Sequence, residues 1–258
     1  MQKLNIKTHA VLLASIFSKH QKVDFTLDCI LETTMGNVYV DDLISPQVFL
    51  VKNGPFYILA GDAQDKHLSL VVGNIVDGAT ILPSPAVWIK QLENLNHLKL
   101  TPYQRFAFDH QSIKIVQLDK IISTKTNGYR IKIIDKVLAK AISASREFSY
   151  HLQNFVDVDN FLQRGIGFVV QTSNCNKIVA VASSALVCSR GIEINIMVLP
   201  EYRKKQLAKQ VAAHLVKAVL QQGKVPHWDA ANEISAQLAL SLGYQAIGSY
   251  QAYRVFKT

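Results

Sequence analysis

A short basic segment between a strand and a helix carries the residues best suited to chemistry. The strand-like run 193–198 ends just before Pro200, and Arg203, Lys204 and Lys205 stand where a helix of regular apolar period begins. The first amides of a helix lack intrahelical acceptors and lie at the positive end of its dipole, so this segment is suited to bind a phosphate. Each well-made charge-assisted hydrogen bond would add roughly 1.5–3 kcal/mol. A solvated basic turn is the alternative, and the spacing alone favours neither.

The elements that position this segment are readable in the second half of the chain. A helix is expected from near Lys205 to Gly223, because Leu207, Val211, Leu215 and related positions form one apolar stripe. The expected order is strand, strand, strand, helix, strand, helix, strand, strand. These elements are a run near 168–170, a run at 178–182, Glu193–Val198, the long helix, Val225–Asp229, a helix at Glu233–Leu242, and strand-like stretches at 244–247 and 252–256. Short helices are also expected near 135–145 and 157–163.

The first half reads as mixed α and β. Strands are expected at 38–40, 48–51, 56–59 and 129–133. Residues 10–17 form an apolar run, followed at once by Lys19 and His20 without a small-residue cleavage pattern. An amphipathic helix of a cytoplasmic protein is therefore favoured over a signal peptide.

The basic segment resembles the acetyl-CoA loop of the GCN5-related N-acetyltransferase (GNAT) family. That loop has the pattern Arg/Gln-x-x-Gly-x-Gly/Ala after a strand and before a long helix. Arg203, Leu207 and Ala208 fit this pattern, whereas Gln206 stands at a glycine position. Glycine allows a close backbone approach to a ligand, which a side chain can obstruct.

Other motifs extend the resemblance over nearly the whole chain, most strongly from about residue 150 onward. They resemble a two-part GNAT subgroup related to zwittermicin-type self-resistance acetyltransferases. The matching stretches are 227–235 (HWDAANEIS), 242–244 (LGY), 161–168 (FLQRGIGF), 182–185 (ASSA), 40–42 (VDD) and 59–62 (LAGD).

The resemblance implies an α/β (α+β) protein with the GNAT acyl-CoA N-acyltransferase fold, a mixed, splayed sheet with flanking helices. The GNAT domain would span residues 135–258. A smaller α/β domain, or a degenerate GNAT-like half, would span residues 1–134. Acetyl-CoA would be the co-substrate and a small-molecule primary amine the acceptor. Its cofactor-binding residues would be Ile196, Met197 and Val198 through backbone groups, Arg203, Lys204, Lys205, Gln206, Leu207 and Ala208 at the pyrophosphate, and Asn232 on the pantetheine arm. An ordinary helix N-cap is the alternative for Asn232.

Acetyl transfer requires a neutral amine. An alkyl amine with a pKa near 10 has only about one molecule in a thousand neutral at pH 7, so a general base helps, typically by about 10²–10⁴-fold. Glu193 is the first candidate for the base, because several related enzymes carry a glutamate on this strand. An exposed strand glutamate without a catalytic role is the alternative.

A general acid for the departing thiolate is missing from its usual position in the family. Many members carry a tyrosine seven residues after the helix-start asparagine, but Ala239 stands there in this chain. Tyr250 or Tyr253 could substitute, with plain aromatic packing as the alternative for each. A thiol pKa of about 8.5 also makes thiolate a tolerable leaving group without an acid.

Composition narrows the function classes. The 258 residues carry 28 Lys and Arg against 19 Asp and Glu, a formal charge of +9, which favours anionic partners. The three cysteines are far apart, so neither a disulfide framework nor a zinc site is expected. No recognisable nucleic-acid motif or membrane-spanning run is present in the sequence, and we expect neither partner. A weakened GNAT-fold protein that senses acyl-CoA or binds a partner is the alternative to an enzyme; the oligomeric state is not predicted.

Overall fold

A computed structural model of the chain describes residues 1–20, 22–124 and 126–258. It divides into two compact units, one formed by Met1–Arg105 with Ser249–Thr258 and the other by Phe106–Gly248. The predicted boundary after residue 134 lies inside the second unit, between a strand and the helix that follows it. The last ten residues belong to the first unit.

The first unit is a largely antiparallel sheet with helices. Its strands are ordered β1-β2-β3-β4-β5-β13-β6, with β4 and β5 parallel. Two buried clusters on its strands and helices form its core; Leu50, Tyr57 and Trp88 belong to one and Phe49 to the other. The elements are β1 (Gln2–Leu4), α1 (Ala10–Phe17), α2 (Asp24–Thr33), β2 (Asn37–Val40), β3 (Val48–Asn53), β4 (Phe56–Gly61), α3 (Asp65–Asn74), β5 (Thr80–Ile81), α4 (Ala86–Glu93) and the first part of β6 (Leu98–Asp109), with the end of β13 (Gln245–Lys257).

The second unit contains a five-stranded sheet in the order β11-β10-β9-β8-β7, in which only β10 and β11 are parallel. The short strand β12 pairs instead with the end of β6. The elements are α5 (Ile115–Ser123), β7 (Tyr129–Ile133), α6 (Lys136–Ala144), α7 (Val158–Arg164), β8 (Gly167–Thr172), β9 (Ile178–Val187), β10 (Gly191–Val198), α8 (Leu207–Gln221), β11 (Val225–His227), β12 (Asp229–Ala230) and α9 (Glu233–Leu242).

Local sequence explains four helices of the second unit, α6, α7, α8 and α9. Asp135, Asp157 and Asn232 accept hydrogen bonds from backbone amides at the starts of α6, α7 and α9, as N-cap residues do. Gly243, with φ of 99°, ends α9 in the left-handed region. The apolar stripe of α8 packs against α9 and Trp228 through Ala212, Ala213 and Val216. These predicted helices are confirmed.

Two predicted strands differ from the structure. Residues 225–229 form two pieces, β11 and β12, interrupted at Trp228, because β11 pairs with β10 while Asp229 and Ala230 pair with β6. The two stretches expected near the C-terminus are one long strand, β13, which passes through Gly248 at φ 123°. Within the described residues, no helix is both long and apolar enough to cross a membrane.

Candidate active site

A gap opens between β10 and β11 in the second unit. The two strands pair over only three positions, from Gly191 opposite Val225 to Glu193 opposite His227. On its other edge, β10 pairs with β9 from Ile192 to Val198. In the part of the chain that the structure describes, no strand pairs with residues 194–198 on the edge that faces away from β9. This edge therefore offers backbone N–H and C=O groups to a ligand.

Two features of the packing produce this divergence. Ala185 is an extra residue on β9, because Glu193 pairs with Leu186 whereas the next residue of β10 pairs with Ser184. Such a bulge bends a strand and re-aims its side chains. After β11, the indole of Trp228 is held in the core, donating to Ser235 Oγ at 3.2 Å. The chain after His227 is thus turned away from β10.

The segment after β10 begins with a 3₁₀ turn, Pro200–Tyr202. It continues as a tight loop, residues 203–206, which ends at the α8 N-terminus. Lys204 and Gln206 both have left-handed backbones, with φ of 60° and 61°. Gln206 occupies the N-cap position of α8, and within the described residues its side chain makes no capping hydrogen bond. The first amides of α8 are therefore not covered by a cap.

The left-handed backbone at position 206 accounts for the glycine that the family pattern has there. An L-residue in the left-handed region costs roughly 1–2 kcal/mol relative to the right-handed one, and glycine largely avoids this cost. The chain keeps the backbone conformation that glycine favours but carries an exposed glutamine side chain at this position.

We expect Gln206→Gly to stabilise the second unit by about 0.5–1 kcal/mol. Relief of the left-handed strain outweighs the larger entropy of glycine in the unfolded chain. Urea unfolding of the variant and of wild type measures the difference. Gln221→Gly, at the last residue of α8, is the matched control and should destabilise, because its backbone is helical. A lower stability of Gln206→Gly would show that its side chain contributes more than its backbone costs.

The three basic side chains of the loop have different surroundings. Arg203 Nε donates to the carbonyl of Val198, the last residue of β10, at 3.3 Å. Lys205 Nζ donates to the Tyr129 hydroxyl at 3.2 Å and lies 5.1 Å from the centre of the Tyr202 ring. Lys204 is exposed, and no hydrogen bond or ion pair ties its side chain to the described residues. Lys204 is thus the loop cation most available to an anion.

Sequence reasoning did not place any aromatic residue beside the loop. The rings of Tyr129 and Tyr202 meet edge to face, with centroids 6.3 Å apart, and Lys177 lies 5.3 Å from the Tyr202 ring. Tyr129 starts β7, far from the loop in sequence, so only the tertiary structure brings it here. In the sequence, the one local indication of an aromatic residue beside the loop was Tyr202, which directly precedes Arg203, Lys204 and Lys205.

Glu193 stands where the gap begins. It is the last residue of β10 that pairs with β11, it is half-buried, and its partner across the strands is His227. Side chains of residues paired directly across adjacent strands lie on the same face of the sheet, so the carboxylate and the imidazole share one face. Ile196, Met197 and Val198 follow on the unpaired edge. The structure therefore brings these four predicted residues onto one strand beside the gap.

Asn232 acts as the N-cap of α9. Its Oδ1 accepts a hydrogen bond from the Ser235 amide at 2.9 Å. This cap uses the oxygen of the side-chain amide and leaves the Nδ2 donor for another partner. The capping interpretation is therefore confirmed, while the predicted contact with a pantetheine arm stays a prediction.

The two candidate acids lie in the first unit, whereas Glu193 and the loop lie in the second. Tyr250 is buried, and its hydroxyl accepts a hydrogen bond from Arg105 Nε at 3.2 Å. The Tyr253 hydroxyl donates to Gln251 Oε1 at 3.1 Å. Partial burial and the nearby Glu93 carboxylate raise the pKa of Tyr253. A role for either as general acid stays a prediction.

Three comparisons place the chain among known proteins. The GNAT acetyltransferase family model matches residues 14–253. An uncharacterized N-acetyltransferase of Bacillus subtilis, YdfB, is 27% identical over 268 residues, covering 98% of each chain. The crystal structure of a GCN5-related N-acetyltransferase-like protein from Streptococcus suis has a TM-score of 0.82 at 30% identity, covering 97% of this chain and 100% of that one.

A GNAT-family acetyltransferase from Colwellia psychrerythraea shares the fold, with a TM-score of 0.55 at 13% identity over 98% of this chain and 97% of that one. The predicted fold class is confirmed, since two mixed sheets with flanking helices match GNAT structures. The zwittermicin-type subgroup stays a prediction. The match over residues 14–253, together with these structural relatives, shows that the chain belongs to the GNAT acetyltransferase family.

Proposed function

We propose that this acyltransferase moves an acetyl group from acetyl-CoA to a primary amine of a small molecule, by direct attack within a ternary complex. One observation carries the proposal: the unpaired edge of β10 is followed, after one 3₁₀ turn, by the basic loop at the α8 N-terminus. Acetyl-CoA has its parts in a matching order: the thioester arm would lie along the strand edge and the diphosphate would lie at the loop. The family supports acyl transfer, and the acetyl donor and amine acceptor are the proposed refinements.

The diphosphate of CoA would bind at the loop. The uncapped first amides of α8 provide N–H donors and the positive end of the helix dipole. Lys204 adds a cation without a competing partner in the described residues, and Arg203 is held beside the end of β10 by the Val198 carbonyl. Lys205 is already engaged by Tyr129 and Tyr202, so its main effect is to hold the loop against β7.

The pantetheine arm would lie along residues 196–198, hydrogen-bonding the backbone groups that no strand of the described residues pairs with, and Asn232 Nδ2 would donate a further hydrogen bond to it. Backbone donors on this edge would also stabilise the oxyanion of the tetrahedral intermediate. Holding amine and thioester together supplies much of the rate enhancement.

Glu193 would remove the proton that the attacking amine loses. Reaching the neutral amine at pH 7 costs roughly 4 kcal/mol for an amine of pKa near 10. The collapse of the intermediate then expels CoA as a thiolate, which a tyrosine or water protonates.

Calorimetry with acetyl-CoA tests the binding part of this proposal. Lys204→Ala is expected to weaken binding about tenfold, because it removes one charge-assisted contact with the diphosphate. Lys205→Ala should weaken it less, since its side chain is tied to Tyr129 and Tyr202. Lys140→Ala, an exposed lysine on α6, is the control and should leave the affinity unchanged.

A turnover screen separates the two candidate functions. Thiol release from acetyl-CoA over a panel of primary amines should reveal at least one acceptor. Tight binding of acetyl-CoA with no turnover on any amine would favour an acyl-CoA sensor over an enzyme. No binding by wild type, or equal affinities in wild type and Lys204→Ala, would contradict the assignment of the loop.

A further inference from the structure

Residues 149–154, between α6 and α7, are fastened to the central strand of the second unit's sheet. His151 Nδ1 lies within hydrogen-bond distance of Ser183 Oγ, at 2.8 Å. Asn154 Nδ2 donates to the carbonyl of Ala185, the extra residue of β9, at 3.0 Å. Because that extra residue lies opposite the beginning of the unpaired edge of β10, this segment lies beside the start of the gap.

The face of β10 that this segment approaches is polar near the gap. Ile194 and Ile196 pack into the core cluster that contains α8. Side chains alternate between the two faces along a strand, so Glu193 and Asn195 lie on the opposite face. Asn195 is the cross-strand partner of Ser183, whose hydroxyl meets His151 on that same face.

Asn195 and Tyr150 offer polar groups that the chain itself does not use. Both side chains are half-buried and therefore still reachable from solvent, and among the described residues no hydrogen bond engages the amide of Asn195 or the hydroxyl of Tyr150. The Tyr150 ring lies against the imidazole of His151, with centroids 4.6 Å apart. Burial raises the pKa of Tyr150 to about 12, so its hydroxyl keeps a proton to donate.

The imidazole between these two groups carries no charge at neutral pH, because burial lowers the pKa of His151 to about 3. It therefore does not repel an ammonium that approaches Glu193. An acceptor bound there would displace the water that serves Asn195 and Tyr150. An amine that carries an oxygen can return those hydrogen bonds, whereas a plain alkylamine leaves both groups unpaired and loses affinity.

The spacing along β10 limits where that oxygen can be. Glu193 and Asn195 are two residues apart, which corresponds to about 7 Å along a strand. We propose that the acceptor is an amine with a hydroxyl or carbonyl group about three carbons from its nitrogen, and that Asn195 and Tyr150 bind this group while Glu193 faces the nitrogen. This inference rests on the proposed acetyl transfer and adds the chemical class of the acceptor.

Turnover of 3-amino-1-propanol and of butylamine is the test, because the two amines differ by a hydroxyl in place of a methyl. Rates are compared at equal concentrations of the neutral amine. Wild type should favour the amino alcohol at least about tenfold in kcat/KM. Tyr150→Phe, which keeps the ring, and Asn195→Leu, which keeps the size, should each reduce this preference to about twofold by slowing the amino alcohol alone.

Two checks show that these variants act on the acceptor. Their affinity for acetyl-CoA should equal that of wild type, which separates a lost contact from a damaged gap. Tyr39→Phe removes the hydroxyl of another half-buried tyrosine, on β2 of the first unit, and should keep the wild-type preference.

Calorimetry of the full chain with the same two amines, with and without CoA, supplies a readout that needs no chemistry. Equal turnover and equal binding of the two amines, or a preference that both variants retain, would overturn the inference and leave acetyl transfer intact. A hydroxyl preference in binding that both variants lose would support the site even without turnover, and the missing turnover would then count against the proposed transfer. Neither turnover nor binding of either amine would overturn both.

Discussion

Gly191→Ala should destabilise the second unit by about 3 kcal/mol and should separate β10 from β11. A Cβ at this position would lie 2.1 Å from the Val225 carbonyl oxygen and 2.7 Å from the Val225 amide nitrogen. Both are backbone atoms of the facing strand, so no side-chain rotation relieves the overlap. The strands pair over only three positions, which leaves few contacts to hold them together while they adjust.

Hydrogen–deuterium exchange, followed peptide by peptide, is the measurement that locates this effect. The Val225 amide donates to the Arg190 carbonyl at 2.9 Å, and its exchange should accelerate in the variant together with that of the β11 amides. Acetyl-CoA affinity should also fall, because the edge of β10 beside the gap would be displaced.

Gly73→Ala is the matched control. Gly73 lies in α3 of the first unit, and an added Cβ there meets no atom within 4 Å. This substitution should stabilise by about 0.5–1 kcal/mol, as alanine does within a helix. If Gly191→Ala melted like wild type with unchanged exchange in β11, the close approach of the two strands would not be needed for the gap.

Four helices of the second unit, α6, α7, α8 and α9, were predictable from local sequence, whereas α5 (Ile115–Ser123) was not predicted. The N-cap Asn232 and the terminal Gly243 bracket a helix whose observed bounds, Glu233–Leu242, are those predicted. The start of α8 at Leu207 lies two residues beyond the expected Lys205, because the left-handed Gln206 delays the first helical turn. Caps and periodicity act within a few residues, so one sequence is sufficient to read them.

The gap was not predictable in the same way, since it depends on pairing between distant segments. Residues 225–229 have the composition of one strand, but β12 pairs with residues 106 and 107, which local patterns cannot reveal. The hydrogen bond from Lys205 to Tyr129, 76 positions away, likewise depends on the tertiary structure. The sequence placed the loop and β10 at their observed positions. Only the structure shows that Lys205 is hydrogen-bonded to Tyr129 whereas Lys204 is exposed.

Glu193→Gln is expected to lower kcat for acetyl transfer by about 10²–10⁴-fold at pH 7, a loss of roughly 3–5 kcal/mol in transition-state stabilisation. Glutamine keeps the size of the side chain and the backbone pairing with His227, but it cannot accept the proton of an ammonium. Acetyl-CoA affinity should therefore change little, which separates a lost base from a damaged gap.

The pH dependence decides between a base and a merely structural glutamate. Without a base, turnover requires an amine that is already neutral, and the neutral fraction of an amine of pKa near 10 rises about tenfold per pH unit between pH 7 and 9. The rate of Glu193→Gln should follow that fraction, so its deficit relative to wild type should narrow as the pH rises. Asp159→Asn, which removes an exposed carboxylate of α7, should show the wild-type profile.

A structural role would give a different result. If Glu193 only supported the start of the gap, its replacement would lower the rate by the same factor at every pH and would weaken acetyl-CoA binding in parallel. Unchanged turnover across neutral pH would remove Glu193 from the mechanism altogether. In that case solvent or the imidazole of His227, which is paired with Glu193 across the strands, would take the amine proton.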